Sequence, residues 1–278
     1  MLTIKKVLNS SVVLVVDEHD VERVLLGKGI GYGRKPGDPV PSGATDRTFI
    51  AFDDERRQEL VQLLAQIPGE YIDISRLIVD DATANGFRLD PHVYVTLSDH
   101  LHFAVMRMRK GLLVMNRLAW EVRTIYPREY EVGTRAVATI RERLGIELPD
   151  DEAANIAFHL VNAEEGRSGV DSMRVVRLVA DVTRIVSLTS GLRFDRSDVH
   201  ASRFMTHLQF FAERLEAGRL LEGDDDALFR TMLERAPRAV ASAERVRSFV
   251  ETDRGVRIPD EEVAYLALHI ARALPPGP

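Results

Sequence analysis

Cysteine is absent from this 278-residue chain. Its absence removes disulfide scaffolds, cysteine-ligated zinc, iron–sulfur clusters and thiol nucleophiles together. Any metal site must be built from His and carboxylates. No run of about 18 apolar residues occurs, so a membrane-spanning helix is excluded. The opening Met1-Leu2-Thr3-Ile4-Lys5-Lys6 lacks the apolar middle and small-residue cleavage site of a signal peptide. A cytoplasmic protein without membrane insertion is therefore expected. Surplus positive charge is lacking as well: 37 basic against 43 acidic residues leave −6 with His neutral. That excludes a globally basic nucleic-acid coat but permits a local basic patch. What remains, 45% hydrophobic and 29% charged, is the balance of a soluble globular protein. The length suits about two domains of roughly 100–200 residues.

The first 55 residues differ from the rest. Ser11 to Val16 is a largely β-branched run, followed by the polar turn Asp17-Glu18-His19-Asp20 and a second run from Val21 to Leu26. This predicts a β-hairpin. A Gly-rich stretch, Gly27 to Gly33, leads into a Pro/Gly loop from Pro36 to Gly43, and Thr48 to Phe52 is expected to close the sheet. About 55 residues make a marginal core, so this piece is expected to dimerise.

From Asp53 onward apolar residues recur at three and four, the period of a helix. The region also repeats. Leu148-Pro149-Asp150-Asp151-Glu152 through His159-Leu160 returns as Ile258-Pro259-Asp260-Glu261-Glu262 through His269-Ile270, at an offset of 110. Upstream, the stripe Leu97, Leu101, Ala104, Val105, Met108 returns as Phe204, Leu208, Phe211, Ala212, Leu215, at an offset of 107. Two copies of one helical domain follow, 64–169 and 170–278, joined near Asn162 to Gly169.

Each copy carries two histidines at matching places: His100 and His207, three residues into the stripes, and His159 and His269. At about 100° per residue, His100 and His207 fall at the edge of their stripes, and His159 and His269 on the polar side. Glu152 and Glu262 lie two turns before the latter pair and are placed on that polar side too. Three roles suit such a set. A His pair with Asp99 or Glu152 could bind zinc, though the His-Glu-x-x-His spacing is missing. A His could be a general base, though no Ser or Lys nucleophile motif accompanies it. Or a reachable imidazole could accept a phosphoryl group on one nitrogen while a carboxylate such as Asp99 orients the ring through the other. His19, His92, His102 and His200 have no counterparts and read as ordinary surface residues.

In the N-terminal piece, Gly27-Lys28-Gly29 is not followed by Gly-Lys-Ser/Thr. Gly29-Ile30-Gly31-Tyr32-Gly33 runs into a Pro/Gly loop instead of a helix, so neither nucleotide motif is met. RNA suits the chemistry better. Lys5, Lys6, Lys28, Arg34 and Lys35 offer phosphate contacts. Tyr32 offers a stacking face, and Asn9, Ser10 and Ser11 offer hydrogen bonds to bases or 2′-hydroxyls. Asp17, Glu18, Asp20 and Glu22 bring the net charge near zero, so a hairpin with a solvated face stays open as the plainer account.

Together these motifs resemble the BglG/SacY-type transcriptional antiterminators. The residues that carry the resemblance are Lys6-Val7-Leu8-Asn9, Leu26 to Tyr32, Ser98-Asp99-His100-Leu101-His102-Phe103-Ala104, Asp151 through Ala163, and Phe204-Met205-Thr206-His207-Leu208-Gln209-Phe210-Phe211. It implies a small all-β RNA-binding domain over 1–55, followed by two homologous all-α helical-bundle domains. It implies no enzymatic activity and no cofactor. It places RNA contact at Lys6, Asn9, Ser11, Gly27, Lys28, Gly29, Tyr32 and Arg34, and phosphorylation at His100, His159, His207 and His269. The implied partners are a leader-mRNA hairpin, the histidine phosphocarrier protein, a sugar-specific transporter component of the phosphotransferase system, and a second copy of the chain. Phosphate on the first His pair is expected to switch the protein off, and on the second to switch it on. Two departures stand out: Asn9-Ser10-Ser11 replaces an Asn-rich stretch, and Lys28 replaces an Arg between glycines, a point charge for a planar fork. Two rivals are a DNA-binding activator with the same regulation domains, which would need an N-terminal helix-turn-helix, and a His/carboxylate metalloenzyme.

Overall fold

The computed structural model describes residues 2–40, 47–49, 54–165, 170–192, 194, 199–221 and 227–274. The expected hairpin is present as β2 (Val12–Val16) and β3 (Glu22–Leu26). The Asp17 carboxylate shapes its turn by accepting from the backbone N–H of His19 at 2.9 Å and of Val21 at 3.0 Å. The closing strand is β4 (Arg47–Phe49), paired with β3; residues 50–52 of the expected Thr48–Phe52 strand lie outside the described residues. A fourth strand, β1 (Thr3–Asn9), was not singled out by the sequence pattern. It pairs with β2 through two register irregularities, between Ile4 and Lys6 and between Val7 and Asn9. Such breaks blur the apolar–polar alternation that marks a strand. The sheet is antiparallel in the order β1-β2-β3-β4.

Both faces of this sheet are buried, which explains why β2 is apolar without alternation. Ile4, Val13, Val15, Leu25 and Ile30 form a small cluster on one face. Val12, Leu14, Val24 and Leu26, on the other, join the core of the helices that follow.

Those helices are α1 (Asp54–Gln66), α2 (Gly69–Ala84), α3 (Val93–Arg109), α4 (Ala119–Ile125), α5 (Pro127–Leu144), α6 (Glu152–Ala163), α7 (Ser172–Ser190), α8 (Val199–Glu216), α9 (Ala227–Arg235), α10 (Pro237–Arg254) and α11 (Asp260–Ala273). They divide into two compact units. One holds Met1–Asn116 with Arg128–Gly166, the other Arg117–Pro127 with Arg167–Pro278. In the first, α2 packs on α3 and α3 on α6. In the second, α7 packs on α8 and α10, and α11 on α8 and α10. The repeat offset relates α4 to α9, yet α4 packs on α7 and α8, whereas α9 packs on α10 and α11.

The stripes read from the sequence are the core. Leu97, Leu101, Ala104 and Val105 are buried in one repeat, and Phe204, Leu208, Phe211, Ala212 and Leu215 in the other. One close approach sets the first turn of α6. A Cβ on Gly133 of α5 would sit 2.2 Å from the Ala153 carbonyl oxygen. Backbone cannot swing aside as a side chain can, so only glycine lets α5 lie against the turn that carries Glu152.

Candidate functional site

The histidines of each repeat meet in space, one from each of two packed helices. In the first unit, α3 presents His100 and α6 presents His159, with ring centroids 4.8 Å apart and planes inclined by 45°. The His100 Nε2 hydrogen-bonds a carboxylate oxygen of Glu152. Glu152 also accepts from the side-chain amide of Asn155 at 3.2 Å, and Asn155 accepts in turn from that of Asn116 at 2.8 Å. Two expectations are corrected here. The carboxylate on His100 is Glu152 and not Asp99, and Glu152 is not on a polar surface but 4% exposed. A helical wheel of α6 alone sees a polar face. Packing α3 across that face turns it into the interior, where His100 supplies the acid's partner.

Burial works against the charge of Glu152, but the hydrogen bond and charge of His100, with the Asn155 amide and the Arg107 charge, together hold the carboxyl below its usual range. Burial, then repulsion from His100, pushes His159 down to about 4, against the pull of Glu152. His159 is therefore a neutral imidazole at physiological pH.

The second unit assembles the same residue types differently. His207 on α8 and His269 on α11 stack, with centroids 3.5 Å apart and planes 16° from parallel. Glu262 is 0% exposed, again contrary to the expected polar side. Its partner is Arg214, which donates from Nε at 2.9 Å and Nη2 at 2.6 Å, and the Leu221 N–H donates at 2.9 Å. The repeat offset relates Arg214 to Arg107, whose charge acts on Glu152 at longer range. So the acid, the Arg and the paired histidines recur, but the acid holds His in one copy and Arg in the other. Burial, then the charges of Arg272, Arg203 and Arg214, lowers His207. Burial, then His207 and Arg272, pushes His269 down to about 4.

These depressed rings make stability depend on pH. An unfolded His gains its proton near 6.5, before the folded rings of His159 and His269 do at about 4. The unfolded state then binds more protons, so stability is complete above about pH 6.5 and falls as pH drops toward 4. For His159 the loss is on the order of 3 kcal/mol, and for the more exposed His269 it is smaller because water screens it. Denaturant titrations at pH 7, 5.5 and 4.5 should show this decline. A flat profile across that range contradicts it.

The residues expected to touch RNA gather at one end of the sheet. Backbone bonds from Gly27 N–H to the Ser11 carbonyl (3.1 Å) and from Gly31 N–H to the Ser10 carbonyl (3.0 Å) pin the Gly-rich loop beside the β1–β2 turn. Gly31 is required there, since a Cβ would lie 2.2 Å from the Asn9 carbonyl oxygen. Lys6, Lys28, Gly29 and Arg34 are exposed, and Tyr32 is 82% exposed. A ring that exposed, in a loop that also carries Lys28 and Arg34, has the chemistry to stack on a base. Gly27 and Ser11 are buried and Asn9 is partly buried. Asn9 donates its side-chain amide to the carbonyls of Leu64 at 3.1 Å and Ile67 at 2.9 Å, and Ser11 donates its hydroxyl to Asp73 at 3.0 Å.

Arg214, Asn155 and Asp73 are the residues that sequence reasoning did not place in these sites. The Arg107/Arg214 match at the stripe offset was the one visible signal. Among the described residues, no group of three His, Asp or Glu is arranged to hold a metal ion. No described helix is long and apolar enough to cross a membrane. Four strands stand where a DNA-binding activator would need its helix-turn-helix.

Comparison with known proteins gives concordant matches along the whole chain. The CAT RNA binding domain model matches residues 2–58, and the PRD domain model matches 78–163 and again 181–273. The chain is 32% identical over 274 residues to the transcription antiterminator LicT of Bacillus subtilis (strain 168), covering 98% of this chain and 99% of the relative. It is 34% identical over 272 residues to a beta-glucoside operon antiterminator of Dickeya chrysanthemi, covering 98% and 96%. Among solved structures, the crystal structure of GlcT CAT-PRDI matches with a TM-score of 0.53 and 31% identity, over 59% of this chain and 99% of that one.

Proposed function

This chain belongs to the transcriptional antiterminators in which a CAT RNA-binding domain precedes two PRD domains, and from that membership we propose that it binds a hairpin in a nascent leader transcript of a sugar-utilisation operon. Binding keeps the overlapping terminator from forming, and polymerase continues into the operon. The observation that carries this reading is the exposed Lys28–Tyr32–Arg34 surface on a sheet that matches the CAT model throughout. Residues 1–55 act as the RNA-binding part, working as a dimer in the cytoplasm, and 64–169 and 170–278 act as the regulation domains. The chain has no catalytic activity of its own; phosphoryl groups reach it from the phosphotransferase system.

The regulation reading places phosphate on His100 or His159 and on His207 or His269, adding about 1.5 to 2 negative charges per site. A neutral ring is the nucleophile that this requires, which the depressed histidines of both pairs supply. The His100 ring is bonded through Nε2 to Glu152, which leaves Nδ1 as its accepting nitrogen. Phosphate at either pair inserts charge among groups already balanced, and so biases which arrangement of the domains persists.

The test is RNA binding by the full-length protein. Lys28→Ala should weaken hairpin binding and lower the slope of log affinity against log salt by about one. No binding of any leader hairpin at low salt would sink the proposal, and an unchanged salt slope would remove Lys28 from the contact.

A further inference from the structure

Asn9 has two amide hydrogens, and the α1–α2 corner takes both. Its Nδ2 donates to the carbonyls of Leu64 and Ile67, at the C-terminal end of α1, while its Oδ1 accepts from the Ser11 N–H. Helix ends leave carbonyls without partners, and Asn9 caps two of them from outside the helix. A side-chain amide in that position has no donor left for a base edge or a 2′-hydroxyl. The Ser11 hydroxyl is likewise engaged by Asp73 of α2, and Ser11 is 1% exposed. Asp73 brings a negative charge to a place where RNA would bring phosphates. On the same side, Val12, Leu14, Val24 and Leu26 of the sheet share one core with Leu64, Ile67, Tyr71 and Ile74 of the corner.

We propose that the α1–α2 corner of the first regulation domain is a docking surface for the chain's own N-terminal sheet, and that RNA and this corner compete for Asn9 and Ser11. The proposal rests on the RNA-binding reading above. The structure is then the closed state, in which Lys28, Tyr32 and Arg34 are displayed but the Asn9–Ser11 half of the surface is withheld. Opening frees that half and strips the cover from Val12, Leu14, Val24 and Leu26, so full RNA contact comes only to a chain that has released its sheet.

The absence of cysteine makes the closed state easy to lock. A Cβ on Gly69 would lie 3.4 Å from the Cβ of Ser10, close to the spacing of about 3.5–4.5 Å found in disulfides. The full-length double variant Ser10→Cys, Gly69→Cys would carry only those two thiols. Its probe is a stem-loop RNA selected from a randomised pool by the reduced protein. Oxidation is expected to give a monomeric cross-linked chain on a non-reducing gel, with RNA affinity at least tenfold lower than that of the same protein after reduction. Separately, Asp73→Ala in the unlocked chain should tighten RNA binding severalfold. Unchanged affinity on oxidation overturns the competition. A bridge that forms only between two chains, or none at all, overturns docking onto the chain's own sheet. If neither the wild-type protein nor the reduced variant selects any RNA, the RNA-binding reading fails instead, which separates the two failures.

Discussion

Arg214→Ala is expected to lower the unfolding free energy by about 3–5 kcal/mol, the range for removing one partner of a buried ion pair. Glu262 is fully buried, and two of its hydrogen bonds come from Arg214. Without them the carboxylate keeps only the Leu221 N–H. The destabilisation is thus the stranding of a charge and not the net worth of the pair, so a double variant, Arg214→Met with Glu262→Leu, should recover most of it. Arg107→Ala in the first repeat should cost about 1 kcal/mol or less, because the acid there is hydrogen-bonded by His100 and Asn155. Urea titrations of the three proteins check this. Equal losses at Arg107 and Arg214, or a loss below 1 kcal/mol at Arg214, contradict it.

Glu152→Gln is expected to raise labelling of the first repeat by the phosphocarrier protein at least tenfold. A phosphoryl group arriving at His100 would meet the Glu152 carboxylate beside it, whereas in the second repeat Arg214 has taken the matching acid out of play. Two like unit charges about 5 Å apart at an effective dielectric near 20 repel by about 3 kcal/mol, more than a tenfold rate difference requires. The carrier alone should therefore modify His207 and His269 readily and the first repeat poorly, leaving the first repeat to the transporter component. The residues just before the histidines also differ, Asp99 before His100 and Thr206 before His207, but Thr206 turns its hydroxyl back to the Ser202 carbonyl, so the expected asymmetry is laid to Glu152 and Glu262. In a reporter assay with and without inducer, His100→Ala should relieve repression and His207→Ala should block activation. Equal labelling of all four histidines by the carrier, with Glu152→Gln changing nothing, refutes this division.

Periodicity carried most of the fold because both repeats obey it. The stripes from Leu97 and from Phe204 lie in the two cores, and the offset alone predicted that each His has a twin. What periodicity misses is the partner that arrives from elsewhere. Glu152 and Glu262 look solvated on α6 and α11 taken singly; His100, 52 residues away, and Arg214, 48 residues away, make them interior. Asn9 and Ser11 read as RNA contacts because their chemistry suits bases. Their occupation by Leu64, Ile67 and Asp73 depends on a fold-back that no local pattern announces. β1 escaped because its register breaks twice.

The placing of α4 bears on how the chain matures on the ribosome. The first unit is interrupted in the chain at Arg117–Pro127 and resumes at Arg128, so it can close only once α5 and α6 have emerged. Throughout that interval α4 is already made but its seat is not, because α7 and α8 are still untranslated, and Val122 and Ile125, later buried, stand uncovered. Vectorial synthesis thus leaves a short greasy helix waiting for its partners. The same topology means that no single cut yields two intact bodies: cleavage between residues 166 and 170 strands α4 on the fragment that cannot house it.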